Sequence, residues 1–187
     1  MASKSFLFYR EPKWIENRSG IRHTLPENVQ SWTYEPGSLT QRLRDYYGDS
    51  IAIKILLHQW NIPFLSERKL LKLSENRYSL TREVLLHADG KPLILARTII
   101  PATTIKVAKS NLSHLGCRPL GEVIFSYPKL ERIEMDVTLI QQSTWTQSAL
   151  DEANINQPIW GRRTVYAVAH QQMLVSEFFL PEVLKVI

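Results

Sequence analysis

Arg82 and Arg97 are the residues whose surroundings suit them least. Each stands in an apolar run, REVLLHA and LILARTIIP, and the two runs flank Asp89-Gly90. That dipeptide suits a two-residue hairpin loop because both positions tolerate positive φ. Counting outward from the loop pairs Ala88 with Lys91, Leu86 with Leu93, Val84 with Leu95 and Arg82 with Arg97. Strand side chains alternate, so Arg82 shares a side with Val84 and Leu86. Two guanidinium groups would then face each other on a core-facing surface. Like charges across a ladder repel, more strongly as the local dielectric falls. The expectation is an anion between or beside them.

A carboxylate supplies the second anomaly. In residues 172–180, Met173, Val175, Glu177 and Phe179 fall on one side by alternation, and Leu174, Ser176, Phe178 and Leu180 on the other. Neither side reads as a solvent face. Glu177 is expected to be buried, and a buried carboxylate must be paired, hydrogen-bonded or protonated. A plain alternative is a mutual Arg82–Glu177 ion pair tying two strands together, or a side chain reaching out at a sheet edge. Trp160-Gly161-Arg162-Arg163 reads as a strand start with surface arginines. His23, His58, His87, His114 and His170 show no metal-ligand spacing, Cys117 has no catalytic partner in view, and no glycine-rich loop could cradle phosphate. No metal is expected.

The elements that must position these groups follow from periodicity. Residues 1–37 are polar and punctuated by Pro12, Gly20, Pro26, Pro36 and Gly37, which predicts an arm wrapped on the surface. Ser38 is a good N-cap for a helix carrying Leu39, Leu43 and Tyr46/Tyr47 and ended by Gly48. Residues 50–60 alternate as a strand, 66–73 suggest a short helix, and 104–115 are helix-like with Gly116 as a stop. A short apolar segment ends at Phe125. In the strand predicted at 130–140, Ile133, Met135, Val137 and Leu139 face in, and Arg132, Glu134 and Asp136 face out. Residues 141–158 are polar and predict a flexible insert. Residues 161–169 and 172–180 form a last hairpin closed by Pro181. An antiparallel α+β domain spanning 1–187, with about six strands, is the expected assembly.

Composition narrows the partners. A hydrophobic content of 44% and a charged content of 22% are ordinary for a globular domain. One cysteine cannot form an internal disulfide, and the apolar run at residues 6–9 is too short for a signal-peptide core. No stretch approaches the ~18 apolar residues that cross a bilayer. A cytoplasmic protein without membrane insertion is expected. The net charge of +5 comes from scattered basic residues interleaved with acids. That pattern fits a small anion better than nucleic acid.

The same residues carry a family resemblance. Arg77-Tyr78, the run Arg82-Glu83-Val84-Leu85-Leu86-His87-Ala88-Asp89-Gly90 and the run Ala96-Arg97-Thr98-Ile99-Ile100-Pro101 resemble the central signature of chorismate lyase. Pro119-Leu120-Gly121, Trp160-Gly161-Arg162-Arg163 and Glu177-Phe178-Phe179-Leu180-Pro181 follow in the matching order, so the resemblance runs from about 31 to 184. It departs in one residue more than expected between Arg77 and Arg82, in the long 141–158 stretch, in a last turn at His170-Gln171-Gln172 without glycine, and in the N-terminal arm.

The resemblance implies a single antiparallel sheet with helical flaps over a buried ligand cavity. It also implies cofactor-free conversion of chorismate to 4-hydroxybenzoate and pyruvate by a monomer, toward ubiquinone. By that resemblance Arg82 holds the ring carboxylate with the backbone amides of Leu39 and Leu120, and Glu177 reaches the ring hydroxyl. Arg97 is the candidate for a second carboxylate or ligand position. Glu177 either moves a proton or only orients the hydroxyl. A site with this charge predicts inhibition by product. The competing reading is a non-catalytic sensor of aromatic acids on the same fold, of the kind joined to bacterial regulators. The stretch before the first expected helix leaves no room for a DNA-binding module.

Overall fold

Alternating apolar residues build one antiparallel sheet, with short helices between its strands. In chain order the elements are β1 (Ile15–Glu16), α1 (Ile21–Thr24), α2 (Glu27–Thr33), α3 (Leu39–Tyr47), β2 (Ile51–Asn61), α4 (Leu65–Leu70), β3 (Ser79–Ala88), β4 (Lys91–Pro101), α5 (Ala102–Val107), α6 (Leu120–Ile124), β5 (Glu131–Ile140), α7 (Gln147–Glu152), β6 (Ile159–Val168) and β7 (Gln171–Phe179). These come from a computed structural model, which describes residues 4–108, 112 and 114–186. The sheet order is β1-β5-β6-β7-β4-β3-β2. The α+β class and single antiparallel sheet are as expected, and the strand beyond the expected six is β1, which has two residues.

The hairpin register differs from the count. Asp89 and Gly90 adopt positive φ, 49° and 77°, and Ala88 does pair with Lys91. After His87↔Pro92 the ladder slips, and Leu86 pairs with Ile94. Leu93 is the extra residue of a β-bulge. Pro92 has no N–H to give the ladder, and the Leu93 carbonyl accepts from Leu180 N at 3.0 Å instead. From there each β4 residue has moved by one. Arg82 faces Thr98, and Arg97 faces Glu83. The two arginines lie on opposite faces of the sheet. The extra residue suspected before Arg82 is not in β3, whose ladder is continuous from Ser79 to Arg82; where β3 meets β2 the slip is in β2, between Ile55 and Leu57.

The face carrying Leu85, Leu95 and Phe178 is covered by stretches that looked peripheral. Leu7 and Phe8 are buried, and the Phe8 ring lies 4.8 Å from Trp145 and 5.2 Å from Phe178. Trp32 is also fully buried, so residues 1–37 contribute core and are not merely a surface arm. Residues 141–158 are not a loose insert. Thr146 caps α7 through Ala149 N at 3.1 Å, and its hydroxyl also bonds the Phe6 carbonyl. Trp145, Ala149 and Ala153 recur every four residues and are buried with Ile155.

Smaller differences have local causes. The predicted 104–115 helix starts earlier, as α5; residues 109–111 and 113 lie outside the described residues, and Leu112 and Leu115 are buried. The apolar segment ending at Phe125 is helical, as α6. In β5, Ile133 falls at a register slip and is exposed, as is Leu139, whereas Asp136 is buried against Arg163 at 2.8 Å. Both faces of that strand are covered at Asp136, Val137 and Thr138, so alternation does not separate inside from outside there.

Candidate active site

Arg82, Val84 and Leu86 of β3, Ile94, Ala96 and Thr98 of β4, and Val175 and Glu177 of β7 form the floor of a cavity on the other face. Leu39 of α3, Leu120 of α6 and Tyr166 of β6 form its other walls. Ser38 caps α3 as expected, its hydroxyl accepting from Gln41 N at 3.3 Å. Arg44 and Glu122 join α3 to α6 at 2.6 Å. The helices meet at Gly121, where a Cβ would lie 2.7 Å from Ser38 Oγ. Amides in the first turn of a helix have no acceptor within it, so Leu39 and Leu120 bring such donors to the cavity wall.

Arg82 is 2% exposed, yet no carboxylate pairs with it among the described residues. Its Nη2 donates to the carbonyls of Gly116 at 3.0 Å and Arg118 at 3.2 Å, while Nε has no acceptor. Burial lowers its pKa, and the neighbouring Cys117 offsets this only in part. A desolvated cation on an apolar floor is a strong attractor for an anion.

Glu177 is partly buried and does not pair with Arg82. It accepts from Arg162 Nε at 2.7 Å, so the mutual ion pair considered from the sequence is absent. Arg162 is not a surface arginine: it is 1% exposed and donates through Nη1 to the carbonyls of Thr33 at 2.8 Å and Glu35 at 3.1 Å. Burial works against its charge, but Glu177 first, and with it Tyr166 and Glu35, together outweigh it and raise its pKa. Arg162 thus fixes Glu177 and anchors the chain that leads into α3.

Arg97, expected in the site, is on the opposite face. Its guanidinium meets Glu67 at 2.7 Å and Glu83 at 2.6 Å, all three buried. Burial opposes the charge, yet the two carboxylates raise its pKa well above the ordinary value. Glu83 also accepts from Ser5 Oγ at 2.6 Å and Phe6 N at 2.6 Å, so this network holds the N-terminal segment in place.

The structure therefore brings together Arg82, Glu177, Leu39 and Leu120 and excludes Arg97. Arg162 and Tyr166 were missed. A two-residue loop at Ala169-His170, both with positive φ, pairs Val168 with Gln171 and Arg162 with Glu177. Counting from that dipeptide would have found the pair, had a glycine turn not been expected. Among the described residues no group of His, Cys, Asp and Glu could hold a metal, and no helix is long and apolar enough to cross a membrane.

Comparison with known proteins covers the same ground. A probable chorismate pyruvate-lyase of Methylococcus capsulatus is 39% identical over 158 residues, 84% of this chain and 98% of that protein. Another, from Methylobacillus flagellatus, is 30% identical over 175 residues, 92% and 95% of the two chains. Among solved structures, the PhnF C-terminal domain aligns with a TM-score of 0.58 at 12% identity, over 78% of this chain and 89% of that one. The PhnF effector domain of Mycobacterium smegmatis gives 0.56 at 15%, over 78% and 90%. Those two likenesses speak to the fold alone. The family model described as chorismate lyase matches residues 14–186, a span that takes in every wall of the cavity, and the chain belongs to the chorismate lyase family.

Proposed function

We propose that the protein converts chorismate to 4-hydroxybenzoate and pyruvate without a cofactor, as the first committed step toward ubiquinone. The observation that carries this reading is Arg82, a buried guanidinium with no carboxylate partner among the described residues, on an apolar floor shared with Glu177. One strand and two residues of register separate the two positions, roughly 12 Å between Cα atoms. Their side chains can close on a single six-membered ring from opposite ends.

The chemistry asks little of the protein beyond enclosure. The bond between ring carbon and ether oxygen breaks, its electron pair leaving with enolpyruvate. The hydrogen on the neighbouring, hydroxyl-bearing carbon is lost as the ring becomes aromatic. The enol then takes a proton at its methylene carbon and becomes pyruvate. Aromatisation provides the driving force, and orientation the rate.

Arg82 grips the ring carboxylate through parallel hydrogen bonds, which fixes the ring plane as a lysine would not. The Leu39 and Leu120 amides complete that grip. Glu177, held by Arg162, accepts from the ring hydroxyl. It either removes the neighbouring hydrogen as a base or only orients the ring while the hydrogen passes within the substrate.

Purified protein should release pyruvate and 4-hydroxybenzoate in equal amounts from chorismate. Tight binding of 4-hydroxybenzoate without pyruvate release would instead mark a sensor. Near-normal turnover of Glu177→Gln with weaker binding would remove its role as a base. Arg82, Arg162 and Glu177 sum to +1 (two cations, one anion), which one product carboxylate neutralises. Product inhibition is therefore expected, and a progress curve that stays linear in excess product would count against it.

A further inference from the structure

Chorismate has a second carboxylate, on its enolpyruvyl side chain. Arg82 and the two helix amides account only for the first, and Arg97 lies on the far face. With Glu177 neutralised by Arg162, a bound dianion needs one more cation.

We infer that the Tyr166 hydroxyl, backed by the Arg132 guanidinium, is the subsite for this second carboxylate, an inference that rests on the lyase reading above. Tyr166 is 3% exposed and lines the cavity. Its hydroxyl accepts from Arg132 Nη2 at 3.0 Å and donates to no group among the described residues, which leaves its proton for a ligand. Burial, and after it the nearby Glu177 charge, raise its pKa, so it remains a donor.

The position fits the substrate. Arg132 and Arg162 both bond the Glu35 carbonyl, at 3.3 Å and 3.1 Å, and Arg162 holds Glu177 by its Nε. The Arg132–Tyr166 pair thus stands one guanidinium away from the carboxylate that meets the ring hydroxyl. In chorismate the enolpyruvyl ether is on the ring carbon beside that hydroxyl. Arg132 itself is exposed at the rim, where it also bonds the Pro36 carbonyl at 3.2 Å. A rim cation strengthens the tyrosine as a donor and favours the dianion over the monoanionic product.

The product lacks the second carboxylate, so paired measurements isolate the subsite from any structural role. Tyr166→Phe and Arg132→Gln should each raise the KM for chorismate at least about tenfold and leave the Kd for 4-hydroxybenzoate within about twofold. Arg132→Gln changes an exposed side chain and keeps the test decisive if Tyr166→Phe does not fold. Equal weakening of substrate and product, or a chorismate KM unchanged in Arg132→Gln, would overturn the subsite. Wild-type protein that releases no pyruvate from chorismate would instead overturn the lyase reading beneath it.

Discussion

Arg82 and Arg97 sit on adjacent strands, are equally buried, and should respond in opposite ways to replacement by methionine. Arg82 is paid no compensation by a carboxylate; its partners are two carbonyls, Gly116 and Arg118, on exposed residues that water can reach. Arg82→Met removes a desolvated charge and fills its space with apolar atoms. Stability without ligand should hold or rise, by about 1 kcal/mol. Binding should suffer instead. Loss of a bidentate, charge-assisted contact costs about 2–3 kcal/mol, or ~30–150-fold in the Kd for 4-hydroxybenzoate.

Arg97→Met leaves Glu67 and Glu83 buried without their cation. Breaking a buried network from one side costs about 3–5 kcal/mol. In a chain of this size that lowers Tm by roughly 6–20 °C. Thermal unfolding with and without 4-hydroxybenzoate reads both effects. The expected pattern is a stable Arg82→Met protein with no ligand-induced shift, and a destabilised Arg97→Met protein that still shows one. A ligand-free Arg82→Met protein as unstable as Arg97→Met would refute the assignment of a free cation to the cavity.

Two further outcomes can be checked. A Cβ on Gly161 would lie 2.5 Å from Phe178 Cδ1 and 2.9 Å from the Glu177 carbonyl. Gly161→Ala should cost about 1–3 kcal/mol in denaturant unfolding and lower turnover, and wild-type values for both would contradict the packing described. His58 pairs across the ladder with Arg82, and burial, then Arg82 and His114, lower its pKa below 6.5. The folded, ligand-free state therefore favours neutral His58; the stability it contributes is full above 6.5 and is lost as pH falls through the folded value. A carboxylate on Arg82 offsets the repulsion and raises His58 again, so binding takes up a proton. Affinity for 4-hydroxybenzoate should increase, by less than about tenfold, as pH drops below ~6.5, and His58→Gln should flatten the profile. A Kd independent of pH in the wild type would remove this coupling.

Strands were legible where apolar residues alternate or run continuously: β2, the β3–β4 hairpin and the β6–β7 hairpin all form close to their expected bounds. Glu177 was legible as a charge on a strand with no solvent face. Arg97 was misplaced because a loop dipeptide sets only the first pairs of a ladder, and Leu93, an ordinary apolar residue, gives no sign that it will be skipped. Arg162 was read as surface because two adjacent arginines suggest exposure, although alternation sends them to opposite faces, one to Glu177 and one to Asp136. The polar stretches 1–37 and 141–158 hide core residues because each buries only a few, and some of these, such as Phe8 and Trp145, are buried against one another.

The slip at Leu93 acts as a parity switch for the sheet. In a strand, adding or removing one residue exchanges the two faces for everything beyond it. Were Leu93 paired into the ladder instead of skipped, Arg97 would turn toward Arg82 and leave Glu67 and Glu83 behind. The ligand chamber would gain a cation while the far side became an acidic void. How many positive charges meet the ligand is thus decided by a hydrophobic residue that touches none of them.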